Sequence, residues 1–418
     1  MQADLIDCPR TLQFIGFQHA AWLALHLNRT LVLPPITSNR HDNAFTFQKW
    51  STYFDIPRFE QLTGLQVKEW ADIKPMTEKE IAIGIDRARH PHSTALPEWE
   101  SLAENITCQI TKDFDNLDGT PGIFARLFLL RVAFVDPPPP PLSHRESKNT
   151  TSANATVLDA NSTSKQEMVA LSDIRDRYQY SEDISLYFSH TYGLKGAAKI
   201  RPFDEIGRLI YFRRDIVDLA RQMVQALDPK ETAKSSPRAP LSSSSSSASS
   251  PSISTASSSS SIDLPSPTPS SSLSVNATRP YIAIHFRRDD IIFKCIDRQT
   301  HKAHTPIQQC MPSMKRWVAA VEKARQRLKL RTTIEPLVVV MTDTTSKEDL
   351  DAIKANGWHH MDHVKAGTRE RLGIFGAAMV DAAILTYADE LVGTQVSTMS
   401  QVAQARRRSW FGRDTLYP

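Results

Sequence analysis

Beyond residue 279, short apolar runs alternate with stretches of helical spacing in a regular order. Tyr281, Ile282, Ala283 and Ile284 form a run of the length that suits a buried parallel strand. In "SMKRWVAAVEKARQRL", Met314, Trp317, Val318, Val321, Ala324 and Leu328 recur at helical spacing, which predicts an amphipathic helix. "PLVVVMTD" then reads as a buried strand with Asp343 at its end, and "SKEDLDAIKANG" as a helix capped by Ser346 and closed by Gly357. A longer helix through "RLGIFGAAMVDAAILTYA" leads into the strand "DELVG", and "STMSQVAQARRR" makes a last helix that starts at a hydroxyl pair. This βαβαβα order predicts an α/β fold with a parallel sheet joined by right-handed crossovers.

Charge gathers where these strands end. The six residues after Ile284 include His285, Arg287, Arg288 and Asp290, and ligands of open α/β sheets bind just beyond the carboxyl ends of strands. Three ends share one edge: His285 to Asp290, Thr342 with Asp343, and Gly393 through Ser400. Paired arginines can fork onto phosphate oxygens, and the helix N-terminus at Ser397 and Thr398 offers backbone N–H groups and a positive dipole end. Asp343 or Asp381 can accept hydrogen bonds from a base or sugar edge, so the set describes a nucleotide-diphosphate site. Each feature also has a plain structural reading: a solvated turn for His-x-Arg-Arg, a helix cap for Asp343, an N-cap for Ser397 and Thr398. Their common place at the carboxyl ends of one sheet favours the functional reading.

Two segments interrupt this organisation. Asp136 to Gln166 and Ser235 to Ser274 hold almost no apolar residues and cannot repay their ordering entropy, so both are expected to be disordered. The expected domains are an N-terminal one over 1–230 with an insert at about 136–166, and a C-terminal one over 275–418, with 235–274 as linker or insert. A chain of 418 residues, 40% hydrophobic and 23% charged, fits two globular domains. The net charge of +4 comes with scattered arginines, which does not indicate nucleic-acid binding, and no window is apolar enough for a transmembrane segment.

Cysteines and asparagines bear on the compartment. Cys295 and Cys310 flank a polar loop and are expected to form a disulfide that pins the loop after the "HFRRDD" turn; Cys8 and Cys108 remain, and four cysteines allow three connectivities. Zinc is the competing reading, without a CxxC pair. Six Asn-x-Ser/Thr sequons, at Asn28, Asn105, Asn149, Asn154, Asn161 and Asn276, point to a secretory-pathway lumen. The opening "MQADLIDCPR" shows no signal pattern, so either an upstream segment is missing or the protein is cytosolic.

"IHFRRDD" resembles the H-x-R-R-x-D motif of the GDP-fucose protein O-fucosyltransferase family, shared with α1,6-fucosyltransferases; His285, Arg287, Arg288 and Asp290 fill its places. "LALHLNRTLVLPPI", "WSTYFDIPRFEQL", "FRRDIVDLARQMVQAL", "NGWHHMDH" and "MVDAAILTYADELVGTQVSTMSQVAQARR" resemble further family segments. The resemblance implies a GT-B fold, two Rossmann-like domains facing across a cleft, and an inverting transfer of fucose from GDP-fucose to a Ser/Thr hydroxyl of a protein acceptor. It implies no cofactor beyond this donor substrate and no essential metal. It places Arg287 on the β-phosphate and Arg288 on the loop through Asp290. His285 would orient sugar or diphosphate, and Asp343, Asp381, Ser397 and Thr398 would hold guanine, ribose or phosphate. The family's first loop, G-G-x-N-N-Q or P-E-G-F-N, corresponds to "LQFIGFQHAAW". Gly16 and Phe17 are kept, Ile15 replaces a glutamate proposed as base, and Gln18 and His19 stand where asparagines would be. Gln18 is then the candidate hydrogen-bond donor and His19 the candidate base. These departures leave two further readings, a catalytically weak GDP-sugar-binding protein and a transferase using another nucleotide sugar.

Overall fold

The computed structural model describes residues 10–26, 28–33, 35–36, 48–73, 75, 77–89, 107–111, 131–135, 202–228, 279–288, 291 and 307–418, with the side chains of 10–13, 15, 19, 23, 84–89, 107–111, 131–135, 202, 204 and 307 left aside. The chain divides into two compact units, Met1–Ile216 with Gly367–Met379, and Val217–Ala366 with Val380–Pro418.

In the first unit, α1 (Arg10–His26) buries Phe14, Phe17, Ala21 and Trp22, and Asn28 ends it in the left-handed region at φ 52°. β1 (Leu31–Leu33) pairs in parallel with β2 (Val67–Glu69). Between them α2 (Ile56–Thr63) starts at Asp55, whose carboxylate accepts the Arg58 N–H at 3.2 Å, and stops at Gly64 with φ 70°. β3 (Thr107–Thr111) and β4 (Arg131–Val135) form a second parallel pair. Stacked and edge-on contacts among Phe14, Phe17, Trp50, Phe54, Phe59 and Phe212 make the core.

The first difference from the sequence reading lies here. Phe14 to His19, which the resemblance aligns with the family's first loop, is the interior of α1. Phe14, Phe17 and Ala21 fall three and four apart and are buried together, so the apolar spacing carries the helix through the stretch.

The second unit is built on one sheet. Its first helix, α3 (Arg214–Gln225), buries Val217, Leu219, Ala220, Met223 and Val224. β5 (Tyr281–Phe286), α4 (Met314–Lys329), β6 (Leu337–Thr342), α5 (Lys347–Ala355), β7 (His359–His360), α6 (Gly376–Tyr387), β8 (Glu390–Val392), α7 (Thr398–Phe411) and β9 (Thr415–Leu416) come next in order. The strands lie β7-β6-β5-β8-β9, and every pair is parallel. Ile282, Ile284, Phe286, Val338 and Val340 pack with Trp317, Val321 and Leu328 of α4 in one core cluster. The predicted alternation therefore stands, with β7 and β9 added; at two residues each they are too short to leave an apolar run.

A second difference is the long helix expected over "RLGIFGAAMVDAAILTYA". It is two pieces, Thr368–Leu372 and α6, parted at Gly373, whose φ is 76°. Gly373 takes up this left-handed conformation without the Cβ penalty that other residues meet there. The Tyr53 hydroxyl donates to the Leu372 carbonyl at 2.7 Å, fixing this segment within the first unit.

Candidate active site

Strand order places the switch point of the second unit between β5 and β8, where the chain leaves first to one side and then to the other. Crossovers there run to opposite faces, which opens a crevice at the strand ends. The β5 end carries His285 and Arg287, and the β8 end runs through Gly393 and Thr394 into α7. The Thr394 hydroxyl donates to the His285 carbonyl at 2.7 Å and accepts the Arg287 N–H at 3.3 Å. Ser400 Oγ accepts the Thr394 N–H at 3.0 Å and lies 2.7 Å from His285 Nδ1. A Cβ at Gly393 would sit 3.0 Å from Ser400, so that glycine lets the two approach. Backbone groups left open beyond the β5–β8 ladder are thus satisfied by hydroxyls.

On the other flank, Asp343 succeeds β6 and meets both arginines of the turn. Its Oδ1 accepts the Arg288 N–H at 2.9 Å, and its Oδ2 lies 3.2 Å from Arg287 Nε. Asp343 therefore braces the arginine turn and is not the cap of α5; Ser346 does that, accepting the Asp349 N–H at 3.4 Å. The two arginines differ. Arg288 packs its guanidinium carbon 4.5 Å from the Phe286 ring centre, with Nε 3.7 Å from Asp349. Arg287 is more exposed than Arg288, at 24% against 14%.

A pocket of about 280 Å³ lies beside this turn, lined among others by Thr342, Asp343, Thr344, His360, His363 and Asp381. His363 Nε2 stands 2.8 Å from Asp381 Oδ1. Burial pulls the His363 imidazole down, but the hydrogen bond and charge of Asp381, with Asp362 behind, outweigh it, and the net direction is upward. Asp381 lines the pocket.

Ser397 is buried and stands at the N-cap of α7 without a side-chain capping bond, and Thr398 is the first residue of that helix. Cys310 is disulfide-bonded and fully buried against Ile291; Cys295 and Asp290 lie outside the described residues. In the first unit, Gly16 lies on α1 with open space at its Cβ position, and Phe17 packs on Trp50 and Phe59. Gln18 is 3% exposed, close against Gly207, and its Nε2 has no hydrogen-bond partner among the described residues. His19 lies on α1 with its side chain outside the described residues. The structure thus unites His285, Arg287, Arg288 and Asp343, and pairs Asp381 with a residue the sequence reading passed over. Thr394, Ser400 and His363 were missed. "GTQVSTMS" holds four hydroxyls, and nothing in its spacing says which two turn back to β5. Among the described residues, no group of three or more His, Cys, Asp or Glu is placed to hold a metal ion.

The sequence model of one family, described as GDP-fucose protein O-fucosyltransferase, matches residues 12–409. The chain belongs to that family. Its α/β architecture agrees with solved structures of one fucosyltransferase, POFUT1. The crystal structure of POFUT1 in complex with GDP-fucose superposes with a TM-score of 0.55 at 14% identity, covering 97% of this chain and 93% of that one. The apo form gives 0.54 at 14% identity, covering 97% and 94%. The likeness shows the GT-B fold class for this O-fucosyltransferase family member. No curated protein sequence matches the chain.

Proposed function

We propose that this O-fucosyltransferase family member transfers fucose from GDP-fucose to a serine or threonine hydroxyl of a protein acceptor, with inversion and without an essential metal. One observation carries the reading: an arginine, Arg287, held at the switch point by its own backbone and by Asp343. In the reaction the acceptor oxygen bonds to the anomeric carbon and the bond from that carbon to the β-phosphate oxygen breaks. The electron pair leaves with GDP, and the hydroxyl proton passes to a base or to solvent. Attack comes from the face opposite the leaving group, which inverts the carbon. Negative charge grows on the diphosphate, and a guanidinium fixed beforehand stabilises it without reorganising. Arg287 is the group for that task, and Arg288 supports the turn. Asp381 accepts from the N–H groups on the guanine edge in the pocket, and Ser397 and Thr398 bind ribose or phosphate.

A disulfide at Cys310 and the sequons support an oxidising secretory-pathway lumen. Among the described residues no helix is long and apolar enough to cross a membrane. A second reading, a GDP-sugar-binding protein with weak turnover, is favoured by one observation: Gln18 is enclosed in the helical core of the first unit. Incubating the purified chain with GDP-fucose, GDP-mannose and chelator separates them. Release of GDP from GDP-fucose in the presence of EDTA supports transfer. Binding of GDP with no turnover of either sugar selects the second reading, and turnover of GDP-mannose alone replaces the donor.

A further inference from the structure

The hydroxyl of Ser400 assigns the tautomer of His285. Ser400 is fully buried, at 0% exposure, away from bulk solvent. Among the described residues its oxygen has two side partners, the Thr394 amide and His285 Nδ1. The amide can only donate, and it occupies one lone pair of Oγ. Among the described residues the hydroxyl hydrogen then has one acceptor, the Nδ1 lone pair. If Nδ1 carried a hydrogen instead, two donors would point at Oγ and the hydroxyl hydrogen would be buried without an acceptor, the arrangement that folded proteins avoid.

We infer that Ser400 is a positioning residue that holds His285 as the neutral Nε2–H tautomer, so that the ring edge away from α7 presents a hydrogen-bond donor. An oxygen-rich anion meets a donor there and not a lone pair. The opposite tautomer would repel the same oxygen. His285 is also fixed through its carbonyl, which takes the Thr394 hydroxyl, so ring and backbone are set by the same connection from β8 to α7. For its effect on transfer this inference rests on the reading of His285 as a contact to the donor diphosphate or sugar. The tautomer itself does not.

The test uses the full chain. Histidine-labelled protein gives a long-range proton–nitrogen correlation spectrum in which the protonated and bare ring nitrogens are distinct, and His285→Asn identifies the His285 signals. The expected result is a bare Nδ1 and a protonated Nε2. A protonated Nδ1 at His285 in the wild type overturns the assignment. Ser400→Ala is then expected to mix the two tautomers and to lower kcat by about 10- to 100-fold, while KM for GDP-fucose moves less than about threefold. Ser400→Cys, a weaker donor of similar size, should recover part of both. A Ser400→Ala protein with unchanged tautomer and kcat overturns the positioning role. If the wild type turns over no GDP-sugar, the proposed function fails while the spectrum still decides the tautomer.

Discussion

Two stretches carry candidate chemistry, and the molecule holds them in opposite ways. At the β5 end the polar groups are met by other chain segments: His285 by Thr394 and Ser400, Arg287 by Thr394 and Asp343, Arg288 by Asp343. Along α1, Phe17 is buried among aromatic side chains and Gln18 is buried close to Gly207, and the Gln18 amide nitrogen has no partner among the described residues. The difference stems from backbone chemistry. A parallel strand that runs past its neighbours leaves N–H and C=O groups to be satisfied, and side chains gather there to do it. A helix satisfies its own backbone, so a polar side chain on its buried face is an uncompensated cost of about 1–3 kcal/mol. A chain keeps such a cost where function asks for it or where a ligand supplies the partner.

The sharpest way to break this comparison is at Arg287. Arg287→Ala is expected to lower kcat/KM by about 10²- to 10³-fold, the scale for removing one preorganised charge-stabilising donor, with the melting temperature nearly unchanged because the side chain is partly exposed. Arg287→Lys should lose most of the rate as well, since an ammonium lacks the planar fork. An unaltered rate would end the assignment.

The next largest effect is expected at Cys310, which is disulfide-bonded. Cys310→Ser should destabilise the protein by about 3 kcal/mol if the ring closed is the short one to Cys295, and non-reducing peptide mapping reads the pairing directly. Recovery of Cys310 linked to another cysteine would move the pin elsewhere.

Gln18 tests the other side. Gln18→Leu removes the unpartnered amide while keeping the volume, so the melting temperature should hold or rise by a few degrees. Transfer should fall if the amide serves the reaction. A stable variant with full activity makes Gln18 a core residue and leaves the reaction to other side chains, Arg287 first among them.

The smallest effect is a pH dependence. Because the folded His363 is raised above its ordinary value near 6.5, the ion pair with Asp381 contributes its full stability below that value and loses it as pH climbs through the folded value. His363→Gln should therefore cost at most about 1 kcal/mol at pH 6 and nothing measurable at pH 9, read as the melting-temperature difference from wild type. A difference that grows with pH would reverse the sign and exclude the pair as its cause.

Much of the second unit is legible in the sequence because its elements are written locally. Apolar runs at Tyr281 and Leu337, the helical spacing from Met314 to Leu328 and the cap at Ser346 all appear where the pattern puts them. Differences arise at two places. Phe14 to His19 reads as a loop through its likeness to the family's first loop, yet its own apolar spacing is helical and the aromatic cluster keeps it so. "RLGIF" reads as one helix with "GAAMVDAAILTYA", yet Gly373 breaks it with a left-handed φ of 76°.

Local pattern alone was enough for the alternation of strands and helices, and with it a parallel sheet whose carboxyl ends carry His285, Arg287 and Asp343. Periodicity and handed crossovers act over a few residues to a few tens, which is the range that a linear pattern records. What each polar group does at that edge was settled by the folded chain: Asp343 turned to the arginine turn instead of capping α5, Ser400 crossed 115 positions to meet His285, and His363 was set on Asp381. The reason is that a hydroxyl or carboxylate finds its partner by distance in space, and at a sheet edge that distance is set by strand order, which no local spacing records.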